Sequence, residues 1–113
     1  MSKMSGLLLA GALAAGVASG PGVASAADAA RGAAVYTEQK CSLCHSVAGK
    51  GNAKGPLDGI GAKLSAEDIR QWITNPKEMT AKTKAERKPP MKAYPNLPAA
   101  DLDALVAYIQ SLK

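Results

Sequence analysis

Apolar and polar positions fall into distinct regimes along the 113 residues. The first is an apolar run at positions 6–18, preceded by Lys3 and followed by Ser19-Gly20-Pro21-Gly22 and Ala24-Ser25-Ala26. Charge, short apolar core and small-x-small, in that order, predict a secretory signal peptide at 1–26, cleaved after Ala26 or Ala27. The run is shorter than the roughly 20 residues that a bilayer-spanning helix needs. The remaining domain, 27–113, is therefore expected to be exported to the periplasm.

Within that domain the pattern predicts helices. Asp28 is the expected N-cap of a helix through Val35 and Tyr36 towards Lys40. Gly32 costs helix stability, so a close approach by another helix is expected there. Positions 47–63 hold five glycines with Asn52 and Pro56 and are expected to form a loop. They lack the strand-to-helix context and the Gly-Lys-Ser/Thr ending of a phosphate-binding loop. Ser65-Ala66-Glu67-Asp68 forms a capping-box variant ahead of an Ile69, Trp72, Ile73 stripe, which Asn75-Pro76 is expected to stop. Positions 77–92 are polar, with 80–88 read as a surface excursion or a short extra helix, and end in Pro89-Pro90-Met91. A last helix from 98 or 99 to 112 carries Leu102, Leu105, Val106, Ile109 and Leu112 at helical spacing, and Leu105 and Tyr108 are expected to pack on Gly32. No strand run stands out, and the expected class is all-α with three main helices.

Composition alters this picture in one respect. A domain this short, with no Phe, one Trp and three Tyr, has a marginal core of its own, so a large apolar cofactor would supply the missing buried surface. Setting Lys3 aside, 13 Lys and Arg face 9 Asp and Glu, a net of +4. That excess favours an acidic protein partner or an anionic surface. Export, scarce aromatics and the lack of a binding motif argue against nucleic acid.

The chemistry centres on Cys41-Ser42-Leu43-Cys44-His45, the C-x-x-C-H pattern of covalent c-type haem attachment. On a helical path Cys41, Cys44 and His45 share one face, so both thiols reach one planar ligand while the imidazole points at its metal. A structural zinc would need a fourth ligand, and the chain has no further Cys or His. A thioredoxin-like pair lacks its strand context, and a plain disulfide would leave His45 without a role. Trp72 is either ordinary core or a wall of the haem pocket. The ring-bound His45 is expected to donate its other proton to the Gly55-Pro56 backbone. A thioether opposite the imidazole would come from Met79 or Met91, either of which is otherwise a flexible core filler. Met91 is preferred, because it lies on a proline-stiffened loop with a whole helix still to follow.

The ordered set Gly32-x-x-x-Tyr36, the haem motif, Gly55-Pro56-Leu57, Trp72-Ile73-Thr74-Asn75-Pro76, Pro90-Met91 and Asp103 to Ile109 resembles a small class I cytochrome c over nearly all of the domain. The resemblance implies one covalent haem c with thioethers at Cys41 and Cys44, His45 and Met91 as axial ligands, and the Pro56 carbonyl holding His45. It also implies crossed terminal helices at Gly32 and Tyr108. The Asn75-to-Met91 connection is longer than in the shorter members, and five rather than four positions separate Tyr36 from Cys41.

The expected function is that of a soluble periplasmic one-electron carrier that is not an enzyme and works as a monomer. It would dock weakly on redox partner proteins through lysines such as Lys50, Lys54, Lys88 and Lys92, and would meet membranes only through membrane-bound redox complexes. The alternatives are a haem enzyme or gas sensor with an open sixth position, and a haem module serving as a subunit of a larger oxidoreductase.

Overall fold

The structure, a computed structural model, describes residues 26–113. The expected signal peptide lies outside the described residues except for Ala26. In chain order come α1 (Ala26–Glu38), a 3₁₀ turn (Cys41–Leu43), β1 (Ser46–Val47), β2 (Lys50–Gly51), α2 (Ile60–Lys63), α3 (Ala66–Thr74), α4 (Pro76–Thr83) and α5 (Ala99–Gln110).

The terminal helices α1 and α5 form the main interhelix contact. Gly32 faces the backbone of α5, where an added Cβ would fall on the Ala104 carbonyl oxygen and on Tyr108 Cβ. Ala104, and not the expected Leu105, therefore shares the notch with Tyr108, because one helical turn separates those two residues on a single face. Leu105 turns instead into the core, with Val35, Tyr36, Ile69, Ile73, Val106 and Ile109. Fully burying such a side chain stabilises the fold by about 1.5–3 kcal/mol. Arg31 adds surface ties to Asp101 at 3.1 Å and to Glu38 at 3.2 Å. Arg70 reaches Asp103 at 2.6 Å and links α3 to α5.

Local chemistry explains the helix starts. Ser65 Oγ accepts the Asp68 N–H at 3.1 Å, so the expected cap on α3 is present. Asp28, expected as an N-cap, lies inside the first turn of α1, where its charge still suits the positive end of the helix. Asn75-Pro76 does end α3, but Pro76 also opens α4, a full helix that begins before the 80–88 segment. At a first helical position proline gives up an N–H that would have no intrahelical partner, so the residue that stops one helix starts the next. Five α-helices are thus present among the described residues, against the three main ones expected.

Two further departures lie in the glycine-rich stretch. β1 and β2 pair as an antiparallel ribbon of two residues each, Ser46 with Gly51 and Val47 with Lys50. The connecting Ala48 and Gly49 both have positive φ, a combination that fits a tight hairpin. The one-turn α2 then carries Ile60 and Leu64 towards the core cluster.

Candidate functional site

Between the 3₁₀ turn, α3, α5 and the segment before α5 lies a cavity of about 480 Å³, within the range of small-molecule and cofactor sites. Its walls are largely apolar and include Leu57, Ile60, Leu64, Ile69, Ile73, Leu105 and Ile109. Cys41, Cys44, His45, Trp72 and Met91 all line it. Met79 does not: it is a buried residue of α4, 7% exposed.

The geometry of the cysteine segment follows from its backbone. Lys40 takes a left-handed conformation, φ 58°, and breaks the chain out of α1 before the motif begins. The motif then turns in 3₁₀ form, tighter than the expected α-helical path: Cys44 N–H donates to the Cys41 carbonyl at 3.1 Å. The His45 N–H reaches the same carbonyl at 2.9 Å. One oxygen thus holds the second thiol and the imidazole in fixed relation to the first. Cys41 is half-buried, Cys44 is exposed and neither is bridged. Burial pushes the Cys41 thiol up to about 11, so near neutral pH it is protonated.

His45 Nδ1 lies 3.0 Å from the Gly55 carbonyl oxygen. A carbonyl only accepts, so Nδ1 carries the proton and Nε2 keeps its lone pair. Burial holds the imidazole below its ordinary pKa, the Arg87 charge acts in the same direction, and the Gly55 hydrogen bond opposes both. The ring is thereby kept neutral, the form that ligates a metal.

The acceptor is one residue earlier than the expected Pro56 carbonyl. Ser46 forms a parallel bridge with Pro56, donating its N–H to Gly55 O at 3.0 Å and accepting the Leu57 N–H at 2.8 Å. Successive carbonyls of an extended segment point to opposite sides, so the one facing residues 45 and 46 belongs to Gly55.

Sequence reasoning missed two residues of this site. Tyr94 lines the cavity, is half-buried, and its N–H donates to the Ile73 carbonyl at 2.9 Å. Arg87 also lines the cavity and donates to the Cys44 carbonyl at 2.5 Å. Neither carried a signal in the sequence, Tyr94 standing in a proline-rich stretch and Arg87 being one cation among many. Buried Tyr36 also lines the cavity, with its ring edge-on to Tyr108 at 5.7 Å, and its hydroxyl is a buried polar atom with no partner.

These features suit a haem. Two thiols and a neutral imidazole meet at one cavity with a thioether in its lining, and the remaining walls are largely apolar.

Comparison with known proteins gives the same direction. Residues 29–113 match the family model described as Cytochrome c. Cytochrome c oxidase subunit 2 of Alkalihalophilus pseudofirmus is 33% identical over 92 residues, which cover 74% of this chain and 25% of that relative. The chain thus spans about a quarter of the length of the curated relative it matches. No solved structure gave a significant match.

Proposed function

The chain belongs to the cytochrome c family, and from that premise we propose that it is a periplasmic one-electron carrier, exported by the signal peptide at 1–26. It would hold one haem c through thioethers to Cys41 and Cys44, with His45 and Met91 as the protein ligands of the iron. The observation that carries this reading is the convergence of Cys41, Cys44, His45 and Met91 on a single apolar cavity from which Met79 is absent.

When bound, the haem supplies one-electron redox chemistry at its iron. The residues of the chain do the rest. Gly55 fixes the tautomer and ring plane of His45, so that Nε2 is presented unprotonated. Ile69, Ile73, Leu105 and Ile109 exclude water, which limits solvent reorganisation during electron transfer. Two protein ligands leave no position for a substrate. Lys40 and Lys92 line the cavity, and neither has an ion-pair partner among the described residues; they favour approach by an acidic partner.

The test is carbon monoxide binding to the reduced, haem-loaded protein. A carrier with both axial positions filled binds the gas slowly or not at all; rapid binding would move the assignment to an enzyme or sensor with an open site. A second reading is favoured by the oxidase subunit relative: the same module serves inside a larger membrane complex, passing electrons to a fixed neighbour. Purification without detergent as a monomer supports the free carrier, and stable co-purification with a membrane oxidase supports the second reading.

A further inference from the structure

We propose that Arg87 is a positioning residue: its guanidinium clasps the segment carrying Met91 to Cys44 and Gly55, and so holds the thioether in the cavity. The inference rests on the axial ligand set proposed above.

The segment needs such a tie. Residues 81–90 are all exposed, and no regular element lies between the end of α4 at Thr83 and the start of α5 at Ala99. Among the described residues, Ala85 N–H bonds to Thr80 O and Tyr94 N–H bonds to Ile73 O, and no backbone hydrogen bond is made by residues 86–93 between them. Pro89 and Pro90 have no N–H to offer. Met91 thus sits in a span anchored by its backbone only at its two ends.

Arg87 supplies a contact within that span. Its Nη2 donates to the Cys44 carbonyl at 2.5 Å. Its Nη1 and Cζ lie where a side chain at position 55 would stand, so the absence of a Cβ on Gly55 makes room for the guanidinium. Cys44 directly precedes His45, and Gly55 is the residue whose carbonyl accepts from His45 Nδ1. One side chain therefore touches both parts of the backbone that hold the imidazole, while its own backbone is four residues from Met91. The planar fork suits this role better than an ammonium, because one arm bonds the carbonyl while the other packs against the glycine.

The test uses imidazole as a competitor for the Met91 position on the ferric, haem-loaded full chain, followed by loss of the sulfur-to-iron charge-transfer absorption. A competitor binds in proportion to the population in which the thioether is released, so Arg87→Gln should tighten imidazole binding about tenfold. Arg87→Lys should fall between parent and Gln, and Lys84→Gln, a neighbouring exposed cation, should match the parent. In a Met91→Ala background Arg87→Gln should alter the affinity by less than about twofold, because no thioether is left to release. Equal titration of parent and Arg87→Gln, an equal gain in Lys84→Gln, or a tenfold gain that persists without Met91 would each overturn the clasp. If Met91→Ala itself changes neither absorption nor affinity, the ligand assignment falls and the clasp falls with it; a response to Met91→Ala but not to Arg87→Gln removes the clasp alone.

Discussion

Gly32 and Ala104 meet so closely that a methyl group on the former would occupy the carbonyl oxygen of the latter. The obstacle is backbone in the middle of α5, which cannot swing aside as a side chain end could. Gly32 is thus the place where the two terminal helices are set in register.

Gly32→Ala tests that register. In an isolated helix the change would be favourable by about 1 kcal/mol. Here overpacking costs about 1–3 kcal/mol and wins, because α1 must move away from α5. Denaturant unfolding of the haem-loaded protein should show a lower midpoint, and an unchanged or higher midpoint would contradict the packing described.

Met79 and Met91 should separate cleanly. Met79→Ala removes a buried side chain of α4 and should cost about 2–4 kcal/mol of stability while leaving the visible spectrum unaltered. Met91→Ala should abolish the sulfur-to-iron charge-transfer absorption of the oxidised protein and lower its reduction potential. The reverse pattern would reassign the axial ligand.

The two thiols of the haem-free chain should differ in reactivity. The nucleophile is the thiolate, and burial raises the Cys41 pKa to about 11. A raised pKa means that the reactive form is scarce at pH 8 and grows as pH climbs towards 11. Cys44 is exposed. Iodoacetamide at pH 8 should therefore label Cys44 at least about tenfold faster than Cys41, with the Cys41 rate still rising at pH 10. Mass spectrometry of partly labelled protein measures the ratio, with circular dichroism checking that the haem-free chain is folded; equal rates in the folded chain would mean that Cys41 is not sheltered as described.

Charge on the cavity rim should appear as a salt effect. Electron-transfer rates with an acidic redox partner should fall as ionic strength rises, since screening shortens the reach of the lysines. Lys40→Glu or Lys92→Glu should lower the rate at low salt and flatten the dependence. A flat dependence in the parent would remove these lysines from the docking role.

Much of the scaffold was readable where one residue type has one strong physical use. Ser65 caps α3, Gly32 marks the helix crossing, and the stripe of α5 faces the core, each from patterns that short-range sterics and hydrogen bonding enforce. Pro76 misled because the chemistry that stops a helix also starts one. The His45 acceptor fell on Gly55 instead of Pro56 because the choice depends on which carbonyls a bridge to Ser46 turns inward, a fact of tertiary pairing. Arg87 could not be singled out among exposed charges, since its value comes from a glycine 32 positions earlier. The cavity itself was foreseeable only as a need, from too few aromatics for so short a domain.

The ion pairs of Arg31 with Glu38 and Asp101 and of Arg70 with Asp103 tie up arginine and carboxylate charge along α1, α3 and α5, while Lys40 and Lys92 at the cavity make no ion pair among the described residues. Positive charge is thereby left at the mouth of the cavity, where an acidic surface would meet it first.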